Sequence, residues 1–159
     1  SWSEDLFVSV NLSAYDLATN DIVSVVDETL GRYNLSPRRL HLEITESALV
    51  DDANSVRRIL ETFRSRGITI AIDDFGTGYS SLSYLDILPL NKVKIDRAFV
   101  ANITEDGRKL KLLRGIVNLS RELGLSVVVE GVEHGRAAPQ PRQQCHSATR
   151  HTSVCGRLC

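Results

Sequence analysis

Five short apolar runs recur along this chain, and each closes on or beside a side chain able to do chemistry. They are Leu6-Phe7-Val8-Ser9-Val10, Leu40-His41-Leu42-Glu43-Ile44, Ile68-Thr69-Ile70-Ala71-Ile72, Lys92-Val93-Lys94-Ile95 and Leu125-Ser126-Val127-Val128-Val129. Each is too short for a stable helix and rich in residues that suit a pleated surface, so each predicts a strand. Helical stripes lie between them. Asn20 and Asp21 can cap a helix to about Tyr33 carrying Val23, Val26, Leu30 and Tyr33 on one face. Val56, Ile59, Leu60 and Phe63 mark a second helix from Asp51 to Arg66, stopped by Gly67. A short helix is expected from Ser80 to Asp86. Leu110, Leu113, Ile116 and Val117 mark another from Asp106 to Leu123, with Gly124 at its C-terminal end. Strands that alternate with helices predict an α/β fold with a parallel sheet. Two architectures fit: part of a (β/α)8 barrel, or a five-stranded, doubly wound open sheet.

The chain's 159 residues suffice for one domain with one core. A net charge of −1 gives no basic field for a nucleic acid polymer. There is no run of 18 apolar residues and no signal-peptide pattern, so no membrane segment is expected and the default compartment is cytoplasmic. The composition breaks near residue 134. Residues 1–133 carry a net −5, whereas residues 134–159 contain no acid or lysine and carry four arginines. That tail also holds Cys145, Cys155 and Cys159, the chain's three cysteines. It has no helical or strand period and is expected to be disordered, as if read out of frame. Its Cys and His spacing matches no familiar zinc pattern.

In parallel α/β folds the C-terminal ends of the strands form the active face. Here that rule gathers Asn11, Glu43, Asp73, Asp74, Lys94 and Glu130, with Asp96, Glu46 and Glu133 nearby. Several carboxylates in one place need a counter-charge, and Lys94 supplies only one. An oxygen-rich set of this kind suits Mg2+ or Mn2+, and two such ions about 4 Å apart can clamp a phosphodiester and activate water. Asp51, Asp52 and Asp106 are better read as helix caps. The Asp73-Asp74-Phe75-Gly76 stretch shares an Asp-Phe-Gly triplet with protein kinases, but their His-Arg-Asp loop is missing. A receiver-type phospho-acceptor domain also has five strands, strand-end acids and a lysine. In this chain, however, the lysine falls in the fourth strand and the fifth closes on Glu130.

Five motifs, in order, resemble the EAL domain: Val10-Asn11-Leu12-Ser13-Ala14, Glu43-Ile44-Thr45-Glu46-Ser47, the segment from Asp73 to Leu82, Lys94-Ile95-Asp96 and Glu130-Gly131-Val132-Glu133. The resemblance runs from about Phe7 to Glu133. It implies a TIM-like barrel that linearises cyclic di-GMP to pGpG with two Mg2+ or Mn2+ ions and is inhibited by Ca2+. It further implies Asn11, Glu43, Asp73 and Asp74 as metal ligands, with Asp73 bridging. Lys94 would contact the attacking water or the phosphate, and Glu130 would be a base or metal-side group. Phe75, Gly76, Thr77, Gly78, Tyr79 and Ser80 would form a mobile substrate loop held by Glu46, with Glu133 orienting its neighbours.

The Glu-Ala-Leu segment that names the family is absent, as is the Gln-Gly-Tyr strand expected after Glu133. A complete barrel needs eight strands and about 250 residues. The expectation is therefore a partial barrel of five strands over residues 1–133, a copy with impaired or no activity, and self-association or homodimerisation through open sheet edges. Alternatives are a non-catalytic module binding cyclic di-GMP or a protein, and a product without function.

Overall fold

A computed structural model describes residues 6–19, 21–49, 53–76, 82–100 and 107–130. Their strands are β1 (Val8–Leu12), β2 (Leu40–Thr45), β3 (Thr69–Phe75), β4 (Lys92–Ile95) and β5 (Ser126–Val129). The helices are α1 (Ala14–Ala18), α2 (Ile22–Arg32), α3 (Ala53–Ser65), α4 (Ser83–Ile87), α5 (Arg97–Val100) and α6 (Gly107–Glu122). Short 3-10 turns at Pro37–Arg39 and Glu46–Leu49 flank β2. The expected caps Asn20, Asp51, Asp52 and Asp106, the loop residues Thr77 to Ser81, Glu133 and the tail lie outside the described residues. Among the described residues no helix is long and apolar enough to cross a membrane.

All strand pairs are parallel, and the order across the sheet is the order along the chain. A doubly wound sheet must reverse its order at a switch point. This sheet does not, so it is wound one way, as a barrel is, and the open-sheet alternative is ruled out. Curvature agrees. Phe7, just before β1, stacks on His41 of β2 with ring centroids 3.9 Å apart, and the Lys92 ammonium of β4 lies 5.4 Å from the Phe7 centroid. In a flat sheet, β1 and β4 would stand about 14 Å apart, three strand spacings. The sheet curls to bring these side chains together.

The two faces follow from the period of two. Leu42, Ile44, Ile70, Ile72, Val93, Ile95 and Val129 point to the convex face, where all are buried. They meet the stripe of α3, whose Leu60 and Phe63 are fully buried, and the Leu113, Ile116 and Val117 stripe of α6. Burying each such side chain contributes about 1.5–3 kcal/mol. Gly67 ends α3 with φ +88°, a conformation that costs a side-chain-bearing residue energy, and lets the Ile68 amide reach back to the Phe63 carbonyl at 3.2 Å.

Four local expectations are corrected. β1 begins at Val8 rather than Leu6, because its register pairs Val8 with Leu40, and so Asn11 lies within the strand. β3 extends through Asp73 and Asp74 to Phe75, so both acids belong to the strand. Asp21 occupies the cap position of α2 without a side-chain cap bond. On α2 the stripe is only partly buried, and Tyr33 stays exposed. Two helices were not anticipated. One of them, α1, has a reciprocal cap in which Ser13 Oγ accepts from the Asp16 amide at 3.3 Å and Asp16 Oδ2 accepts from the Ser13 amide at 2.9 Å.

Candidate active site

The concave face carries the polar half of each strand. Asn11 on β1 is in register with Glu43 on β2, and Thr45 with Asp73 on β3. Lys94 on β4 is in register with Val128, two residues before Glu130. Glu130 lies one residue beyond β5, and its amide donates to the Ile95 carbonyl at 3.0 Å. The curl turns this row into a ring. Lys94 Nζ donates to Glu43 Oε2 at 2.7 Å and to Asp73 Oδ2 at 2.8 Å, and it pairs with Glu130 Oε1 at 3.0 Å. One ammonium thus joins carboxylates from three other segments of the sheet.

Burial makes this arrangement electrostatically strong. The Lys94 side chain is 13% exposed, and those of Glu43 and Asp73 are 13% and 16% exposed. Burial alone would favour neutral Lys94. Its bonds to Asp73, Glu43 and Glu130 outweigh that and raise its pKa above the usual lysine value. Three carboxylates against one ammonium leave a net −2 when all are ionised. Asp74 responds to that field. Partial burial, followed by the charges of Asp73, Asp96 and Glu130, raises its pKa against the opposing pull of Lys94.

Two adjacent residues in a regular strand face opposite ways, which would drive Asp74 into the core. A register shift between Ile72 and Phe75 prevents this, and Asp74 adopts φ +54°. The irregularity keeps Asp74 exposed while Phe75, 1% exposed, returns to the core. Phe75 therefore anchors the strand, and the loop proper starts at Gly76. The Gly76 amide donates to Glu46 Oε1 at 3.0 Å, across 30 residues of chain. Asp73 Oδ1 accepts from the Asp74 amide at 2.9 Å.

A lower storey closes the concave face below this ring. It holds Phe7, His41 and Lys92, which the sequence had not marked as a unit. Burial and the Lys92 charge pull the His41 pKa from 6.5 to about 4, against the pull of Glu43. The donors on offer above it are carboxylate and amide oxygens, the chemistry of Mg2+ and Mn2+. In kind they fit such ions. Among the described residues no three acidic, His or Cys groups stand together as a ready-made metal cage. The point where Glu43, Asp73 and Glu130 converge is held by Lys94.

Known proteins share this fold. Residues 1–139 match the EAL domain. MucR of Pseudomonas aeruginosa, a bifunctional diguanylate cyclase and cyclic di-GMP phosphodiesterase, is 45% identical over 81% of this chain and 19% of its own length. The structure of the MucR phosphodiesterase with cyclic di-GMP superposes with a TM-score of 0.74, covering 81% of this chain and 52% of that one. The EAL enzyme Bd1971, bound to cAMP and cyclic di-GMP, is 34% identical with a TM-score of 0.78 over 82% of this chain and 35% of its own. Klebsiella pneumoniae BlrP1, with manganese and cyclic di-GMP, is 34% identical with a TM-score of 0.73 over 80% of this chain and 33% of its own. This chain spans less than a fifth of the length of curated relatives such as MucR and Bacillus subtilis YkoW. A match across most of the chain, in both sequence and fold, places it in the EAL domain family.

Proposed function

We propose that residues 1–133 contribute a cyclic di-GMP phosphodiesterase site of the EAL type, acting in the cytoplasm, and that the tail beyond the matched residues 1–139 lies outside that domain. The observation that carries this reading is the convergence of Glu43, Asp73 and Glu130 on Lys94 at 2.7–3.0 Å. The net negative charge of the group calls for cations, and its oxygen donors suit Mg2+ or Mn2+. The relatives' complexes with cyclic di-GMP and manganese support both ligand and metal. Ca2+, present in another BlrP1 complex, is expected to bind without supporting turnover.

Asn11, Glu43, Asp73 and Asp74 would hold the ions, and Glu130 would hold an ion or take a proton. When bound, the metals would neutralise phosphate charge and lower the pKa of a water. The residues do the rest. The Lys94 ammonium sets the spacing of the carboxylates, which occupy its three N–H donors, and it would turn one of them to a phosphate oxygen when a carboxylate leaves it for a bound metal. Glu46 fixes the start of the loop at Gly76, which with Thr77, Gly78, Tyr79 and Ser80 would border the substrate. The outer edges of β1 and β5, unpaired among the described residues, would support self-association.

A thermal melt with and without cyclic di-GMP plus Ca2+ tests the site. An upward shift of the midpoint is expected, followed by formation of pGpG when Mn2+ replaces Ca2+. A ligand shift without hydrolysis would leave a binding module in place of an enzyme. The absence of any shift would overturn the reading.

A further inference from the structure

The end of β3 that carries Asp73 and Asp74 is gripped from two sides. Glu46 holds it through the Gly76 amide at 3.0 Å. On the other side stands Phe99 of α5. A Cβ added to Gly76, whose φ is +101°, would meet Phe99 Cδ2 at 2.6 Å, Cε2 at 3.0 Å and Cγ at 3.3 Å. That is closer than any real side-chain carbon sits, so the ring lies flush on the Gly76 backbone. Phe99 is also tied to the lysine strand. α5 starts two residues after Ile95, with the Ala98 amide on Asp96 Oδ1 at 2.6 Å and the Phe99 amide on the Asp96 carbonyl at 3.1 Å. An open cavity of about 330 Å³ lined by Gly76, Ala98, Phe99, Lys109 and Leu112 lies against the same ring.

We propose that Phe99 is a positioning residue: its ring, stacked on the Gly76 backbone, fixes the turn that aims Asp73 and Asp74 relative to Lys94. The distance between the ends of β3 and β4 decides whether Asp73 reaches Lys94 at 2.8 Å, and Phe99, just after β4, reaches across to the end of β3. A shift of α5 would then reach the carboxylates through this ring. The functional half of the inference rests on the phosphodiesterase reading, whereas the structural half does not.

The test compares the full chain with Phe99→Ala, Phe99→Leu and Leu113→Ala, the last removing a buried α6 side chain that does not line the cavity beside Gly76. Amide hydrogen exchange is read at Gly76 and at Ile70. Phe99→Ala is expected to reduce Gly76 protection at least tenfold relative to Ile70, with Phe99→Leu restoring most of it and Leu113→Ala leaving the ratio unchanged. Unchanged protection in Phe99→Ala, an equal loss in Leu113→Ala, or a parent chain with no protected Gly76 amide would each overturn the proposal. Cyclic di-GMP hydrolysis with Mn2+ is then measured on the same set. Phe99→Ala is expected to lower kcat about tenfold with KM nearly constant. A similar fall in Leu113→Ala would overturn the functional half. A parent chain that hydrolyses nothing would overturn the phosphodiesterase reading and leave the exchange ratio to decide what Phe99 does.

Discussion

The two faces of one sheet have been given opposite work. On β4 they alternate residue by residue: Val93 and Ile95 are fully buried under the helices, while Lys92 and Lys94 face the concave side and are only partly covered. The convex face holds the domain together and carries almost no polar groups. The concave face gathers like charges that repel and that burial makes costly. The strands can tolerate that cost because the other half of the same residues stabilises them. Stability and chemistry are thus separated by a period of two, within single strands, rather than by domain or loop.

The largest effect should come from the convex side. Ile72→Ala removes a fully buried side chain in register with Ile44 and Val93. It is expected to cost about 2–5 kcal/mol in chemical denaturation. A loss under about 1 kcal/mol would mean that the faces do not divide the work as described. Next is Lys94→Met, which leaves three carboxylates without their shared ammonium. Chemical denaturation should show a loss of about 1–3 kcal/mol. Added Mn2+ should recover part of it, whereas Ile72→Ala should gain no more from metal than the parent chain.

A smaller effect concerns pH. His41 has a folded pKa of about 4 against 6.5 when unfolded. The unfolded chain therefore binds more protons between those values, and stability falls as the pH drops from 6.5 toward 4. His41→Gln should flatten that part of a stability-against-pH curve, and an unchanged slope would remove His41 from the account. The smallest effect tests the one polar side chain buried on the helix side without a hydrogen-bond partner for its oxygen among the described residues. Ser120 is fully buried in α6. Ser120→Ala should be neutral or stabilising by up to about 1 kcal/mol, and a clear loss would point to a bond its hydroxyl makes.

The residues of the ring were legible because chemistry sits at strand ends in parallel α/β folds, and Glu43, Asp73, Lys94 and Glu130 each interrupt or close an apolar run. The stripes of α3 and α6 were legible because three or four turns suffice to show a period. α1 and α5 span about one turn each and show none. The extent of β1 depends on which residue of β2 pairs with Val8, and that is a long-range fact. The outward turn of Asp74 depends on a bulge that two adjacent acids do not announce. Phe99 reads as ordinary apolar filler until its ring is seen on Gly76, 23 positions away.

The strict order of strands has a consequence for how such a chain comes into being. Lys94 finds two partners already made, 51 and 21 residues before it, but must await the third, Glu130, which comes after it. During synthesis, β1 to β4 can pair as they emerge, each with the strand just before. The ring gains its third carboxylate only when β5 docks. The chemistry is therefore assembled last, from a scaffold already standing, and a nascent chain shorter than Glu130 would carry most of the acids but not the completed ring.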